Sequence, residues 1–143
     1  MYSTDIDKAR NLATQAHQGQ VDKAGLPYIE HPRRVAGRLD TPQAQVVGWL
    51  HDVVEDTEIS LETIRELFGE ETASAVDAVT HRGKESWSDY LIRVKQHPLA
   101  KEVKISDLID NSNLSRIPVV TAKDVHRQAK YNRALFFLMD LDT

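Results

Sequence analysis

A chain of 143 residues with 41% hydrophobic content is long enough to form one domain around a real core. It has no cysteine, which excludes disulfides, thiolate zinc sites and a cysteine nucleophile, and any metal must be held by histidine and carboxylate. A net charge of −4 gives no electrostatic support for nucleic-acid binding, and no apolar run approaches a membrane span or a secretory core, so a cytoplasmic protein is expected.

The elements read off in chain order as helices. Thr4-x-x-Asp7 resembles a capping box, Ile6, Ala9, Ala13 and Ala16 follow at helical spacing, and Gly19 stops the run. Residues 19–29 are a loop by their glycine and proline content. Glu30-His31-Pro32 opens a second helix, with Val35 and Leu39 inward. Thr41-Pro42 starts a third, whose stripe of Val46, Val47, Leu50, Val53 and Val54 predicts one continuous helix through the acidic stretch that ends at Thr57. Ser60 caps a fourth and Gly69 ends it. A fifth runs over Ala73, Val76 and Val79, Ser86 starts a sixth and Pro98 a seventh. Thr121-x-x-Asp124 begins the last, with Val125, Ala129, Phe136 and Phe137 apolar. No segment alternates with a period of two. The expectation is an all-α bundle of seven or eight helices forming a single domain over residues 1–143.

One stretch concentrates the chemistry. Leu50-His51-Asp52-Val53-Val54-Glu55-Asp56-Thr57 packs an imidazole and three carboxylates together without a lysine or arginine. Helical spacing predicts that they share one side, where the acids repel unless a cation joins them, and a divalent metal is the simplest candidate. His31 and Asp107 come from other predicted helices and complete a set of two histidines and two carboxylates. Such a set leaves open positions for water and substrate, the requirement for a hydrolytic metal. Glu55 and Asp56 are close enough that one can keep a proton, which suits acid–base work.

His31, His51-Asp52 and Asp107, in that order, resemble the H…HD…D signature of HD-domain metal phosphohydrolases. The string HDVVEDT resembles the HDxxEDT of the RelA/SpoT alarmone hydrolase domain. Residues 23–32 resemble that family's K-S-G-x-P-Y-I-x-H-P, and residues 103–111 resemble V-K-L-A-D-x-x-x-N. The resemblance implies His31, His51, Asp52 and Asp107 as ligands of one metal ion, usually Mn2+. It implies Glu55 and Asp56 as the pair that handles the attacking water and the leaving group. Lys23 and Asn111 match substrate-contacting positions, as do Arg127 and Tyr131 through a thinner local similarity. The implied reaction removes the 3′-pyrophosphate of guanosine tetra- or pentaphosphate, so the partner is a small phosphorylated nucleotide, with no nucleic acid and no membrane. The oligomeric state stays open.

The chain also departs from that pattern. Val21-Asp22 stands where basic residues are usual, and Leu108 and Asp110 replace a common arginine and histidine. Two alternatives follow: the same chemistry on another phosphorylated nucleotide or an NADPH-like cofactor, or a catalytically silent nucleotide-binding regulatory module. The intact Glu55-Asp56 pair argues against the silent module.

Overall fold

The computed structural model describes residues 2–140, all of whose regular elements are helical: α1 (Tyr2–Ala16), α2 (Glu30–Gly37), α3 (Pro42–Leu50), α4 (Val53–Asp56), α5 (Leu61–Phe68), α6 (Glu70–Val79), α7 (Trp87–Lys95), α8 (Pro98–Asn111) and α9 (Ala122–Leu138). The all-α expectation holds, with eight helices of at least eight residues and the single-turn α4. A lone bridge between Val21 and Pro27 closes the loop after α1. No described helix is long and apolar enough to cross a membrane.

Local signals set most boundaries. Thr41, Ser60 and Ser86 each accept the backbone N–H three residues on, and Thr121 forms a full capping box with Asp124. Gly69 ends α5 at φ +94°, a backbone angle open to glycine at little cost. Helix α1 is the exception, because it begins at Tyr2 and takes Thr4 inside it. Nothing in the preceding residues forbids the helix, so a cap signal there does not stop it.

Helix α3 is the centre. Ala44, Val46, Val47, Gly48, Trp49 and Leu50 are all buried, so it is enclosed on every side rather than along one stripe. It packs on α1 and α2, and α8 crosses α2, α3 and α6. A second apolar cluster forms where α7, α8 and α9 meet, around Tyr90, Leu91, Val94, Leu108, Ala134 and Leu138. Helix α9 uses only part of the face expected of it: Val125 and Phe136 are exposed, Ala129 and Phe137 are half-buried, and its buried residues are Asp124, Ala134 and Leu138. Its main helix contacts are with α8 and α7, and those contacts, not the apolar pattern alone, choose its face.

Gly48 permits a close approach of α2 to α3. A Cβ there would lie 2.9 Å from Ala36 Cα and 3.0 Å from a Leu39 methyl. Gly48→Ala would gain roughly 1 kcal/mol in helix propensity. The obstructing atom is backbone and cannot swing away, so overpacking of about 1–3 kcal/mol wins. The urea midpoint is expected to fall with the m-value unchanged; a higher midpoint would show that α2 and α3 separate freely.

The predicted continuous helix through His51-Asp52 is broken. Helix α3 stops at Leu50, Asp52 sits at φ −105° and ψ −2°, and α4 restarts at Val53. His51 Nδ1 bonds the Gly48 carbonyl at 2.7 Å. That carbonyl is the acceptor a continuing helix would offer to the Asp52 amide. His51 and Asp52 therefore turn inward while Glu55 and Asp56 ride on a separate, exposed turn. The four side chains do not share one helix face.

Candidate metal centre and its pocket

The break at residues 51–52 points two side chains at two others from distant helices. His31 Nε2, from α2, lies 2.9 Å from Asp107 Oδ1, on α8, and 3.3 Å from His51 Nε2. His51 Nε2 lies 3.3 Å from the same Asp107 oxygen and 3.0 Å from Asp52 Oδ2. Both histidines and Asp107 are buried. One donor atom each from His31, His51 and Asp52 falls within 4.8 Å of the others, a spacing that a metal ion could bridge.

Hydrogen bonding fixes what these atoms offer. A carbonyl only accepts, so His51 Nδ1 carries the proton it donates to Gly48. His31 Nδ1 donates in the same way to Asp110 Oδ2 at 2.7 Å. In the neutral rings both Nε2 lone pairs then face each other and two carboxylates. Four electron-rich atoms held this way need either protons or a cation between them, and mixed nitrogen and oxygen donors suit a divalent ion.

Each of the four has a second partner. Lys104 Nζ reaches Asp107 Oδ2 at 2.8 Å, and Asn111 Nδ2 reaches Asp107 Oδ1 at 3.1 Å. The Tyr28 hydroxyl donates to Asp52. Burial alone would raise the Asp107 pKa, but Lys104 and the two histidines hold it well below the usual carboxylate range. Burial likewise works against the Lys104 ammonium, and Asp107 outweighs it, so the lysine stays charged.

Burial depresses the imidazolium of His51, yet Asp52 and Asp107 hold its pKa well above 6.5. For His31 burial is again opposed, here by hydrogen bonds to Asp107 and Asp110, and the net shift is upward. A folded-state pKa above the unfolded one gives stability that is complete below about pH 6.5 and lost as pH rises through the folded value. Protein stripped with a chelator is therefore expected to lose thermal stability as pH rises above about 6.5, while metal affinity rises as cation and proton compete less. A midpoint flat with pH would show that the folded rings are neutral.

Beside the cluster lies a pocket of about 420 Å³ that shares His31 and Tyr28 with it. The expected substrate contacts Lys23, Asn111, Arg127 and Tyr131 all line it. Arg34 and Arg116 line it too, which makes four cationic side chains in one cleft. Glu55 and Asp56 do not line it. The Glu55 carboxylate accepts the His81 N–H at 2.8 Å. Asp56 has its pKa pushed up to about 6, by burial first and then by the nearby Asp52 and Glu55 carboxylates. Asp22, where basic residues are usual in the resembled pattern, builds the loop instead: its Oδ1 accepts the N–H groups of Ala24 and Leu26.

Sequence reasoning missed Lys104 as a partner of the cluster, and it missed the parts played by Asp110, Arg34 and Arg116. Lys104 and Asp110 each stand three residues from Asp107, the spacing that puts helix neighbours on one side, and this was the available signal. Arg116, on the loop after α8, gave none.

The HD domain family model matches residues 9–107, well over half of the chain. The chain belongs to the HD domain family. Its matched span ends at Asp107, so this HD domain carries Asn111, Arg116, Arg127 and Tyr131 beyond the family match. It is 49% identical over 87 residues to a probable guanosine-3′,5′-bis(diphosphate) 3′-pyrophosphohydrolase of Synechocystis, covering 58% of this chain and 11% of that one. It is 33% identical over 122 residues to the guanosine-3′,5′-bis(diphosphate) 3′-pyrophosphohydrolase of Aquifex aeolicus, covering 77% and 18%. The HD domain thus spans a small part of the length of these curated relatives. Its fold is like that of a solved metazoan ortholog of SpoT that hydrolyzes ppGpp, with TM-score 0.77 and 21% identity over 94% of this chain and 84% of that one.

Proposed function

We propose that this HD domain is a metal-dependent phosphohydrolase that removes the 3′-pyrophosphate of guanosine tetra- or pentaphosphate, in the cytoplasm and with one Mn2+. The observation that carries the reading is a largely buried two-histidine, two-carboxylate cluster that shares His31 with a cleft holding Lys23, Arg34, Arg116 and Arg127. The names of the curated relatives support the choice of nucleotide.

His31, His51, Asp52 and Asp107 would hold the cation. When bound it supplies Lewis acidity, which acidifies water near neutral pH and draws charge from phosphoryl oxygens. The chain's own groups do the rest. The four cations of the cleft neutralise the phosphates, and Tyr131 and Ile117 give the base flat and apolar surface. Asp56, shifted up to about 6, has a protonated fraction near neutral pH that an ordinary aspartate lacks, which suits protonation of the departing sugar oxygen. Glu55, with one oxygen fixed by the His81 amide, orients and deprotonates the attacking water.

The test is incubation of the purified chain and Mn2+ with the two guanosine alarmones, NADPH and common nucleoside phosphates. Pyrophosphate release from the alarmones that stops with chelator is the expected result. Phosphate release from another compound alone would overturn the substrate, and silence throughout would overturn the reaction.

A further inference from the structure

Asp110 breaks the resembled sequence pattern, and its surroundings give it a task. It stands three residues after Asp107 on α8, and only 1% of it is exposed. Its Oδ2 takes the His31 Nδ1 proton at 2.7 Å. Its Oδ1 takes Arg34 Nε at 2.8 Å and an Arg38 guanidinium nitrogen at 3.1 Å. A second Arg34 nitrogen lies 3.1 Å from Oδ2, and Arg116 lies 3.5 Å from it. His31 and Arg34 on α2 and Arg38 at its C-cap recur along one side, so that helix and its cap residue grip a single buried carboxylate with three side chains.

A carboxylate among three guanidinium groups stays ionised and can only accept. It therefore fixes both which His31 nitrogen carries the proton and the plane of the ring. The Nε2 lone pair is left aimed at His51 and Asp107. An ordinary helix-to-helix clamp would need the arginines and the carboxylate, but it would not need the imidazole edge to be part of it.

We propose that Asp110 is the positioning residue of the metal centre, acting through His31, and that the three arginines around it hold it as an acceptor. The inference rests on the proposed metal centre. It predicts that losing the charge weakens metal binding by roughly 10- to 100-fold, the usual cost of removing a partner that orients a metal-ligating histidine.

The experiment titrates Mn2+ into wild type, Asp110→Asn and Arg38→Gln, with the thermal midpoint of each chelator-treated protein measured in parallel. Arg38 touches Asp110 but not His31, and it does not itself line the pocket, so it reports the clamp alone. The expected result is a weakened Mn2+ Kd in Asp110→Asn only, with both variants losing some thermal stability. Wild-type affinity in a folded Asp110→Asn overturns the inference. Equal weakening in both variants also overturns it, because the clamp alone would then set affinity. If wild type itself binds no Mn2+, the metal centre falls, and the inference with it, by a result distinct from the other two. Should Asp110→Asn fail to fold, nitrogen-15 NMR of zinc-loaded wild type decides. A protonated Nδ1 on His31 is expected, and a bare Nδ1 overturns the assignment.

Discussion

Asp107→Asn is expected to abolish metal binding and turnover and to destabilise the fold as well. The loss of function follows from its place, since Asp107 Oδ1 faces both histidine Nε2 atoms. Removing an outer partner of a metal ligand already costs roughly 10- to 100-fold, so removal of this carboxylate costs at least that much. The loss of stability has another source. Lys104 Nζ is 2.8 Å from Asp107 Oδ2, with both side chains largely buried. Breaking a buried pair from one side costs about 3–5 kcal/mol, because the remaining charge is stranded. The Tyr90 and Trp87 rings, 5.1 and 5.6 Å from Nζ, give the ammonium some shelter and place the cost near the lower end. The double variant Lys104→Met with Asp107→Asn separates the two effects. Chemical denaturation should show most of the stability restored, while metal titration stays silent. If the double variant is as unstable as Asp107→Asn alone, the stranded lysine is not the cause.

Glu55→Gln is expected to lower kcat by about 100- to 10,000-fold, the usual share of a positioned acid or base. The substitution keeps the shape and keeps the oxygen that accepts the His81 amide. Metal affinity, nucleotide affinity and thermal midpoint should all match wild type. Loss confined to kcat marks a group that handles a proton during the reaction. A rise in KM alone would make Glu55 a binding group, and unchanged turnover would leave it without a part in the chemistry.

The contrast between these two sites follows what the sequence could express. Helix starts were legible because a cap is a local bond: Thr41, Ser60, Ser86 and Thr121 each reach an amide three residues away. The four clustered side chains were legible as short strings in a fixed order. The break at His51-Asp52 was not, because a side chain takes over a backbone carbonyl, and apolar spacing carries no trace of that. Asp110 read as a departure without a purpose because its partners His31 and Arg34 lie 79 and 76 positions away. The face of α9 was partly misjudged for a related reason, since its burial is decided by α7 and α8 and not by its own pattern alone.

The short α4 has one more consequence. A single turn of helix cannot hold itself in water, because its nucleation is not repaid by propagation. It is tied from outside: Gln20 Nε2 donates to the Asp56 carbonyl at 3.3 Å, and the Glu55 carboxylate is moored to the amide of His81. The two acids thus ride on a segment whose local opening is easier than unfolding of the bundle. Amide exchange at α4 should be faster than in α3 by orders of magnitude, and changes in the loops at residues 17–20 and 80–82 should retune turnover without disturbing the buried cluster.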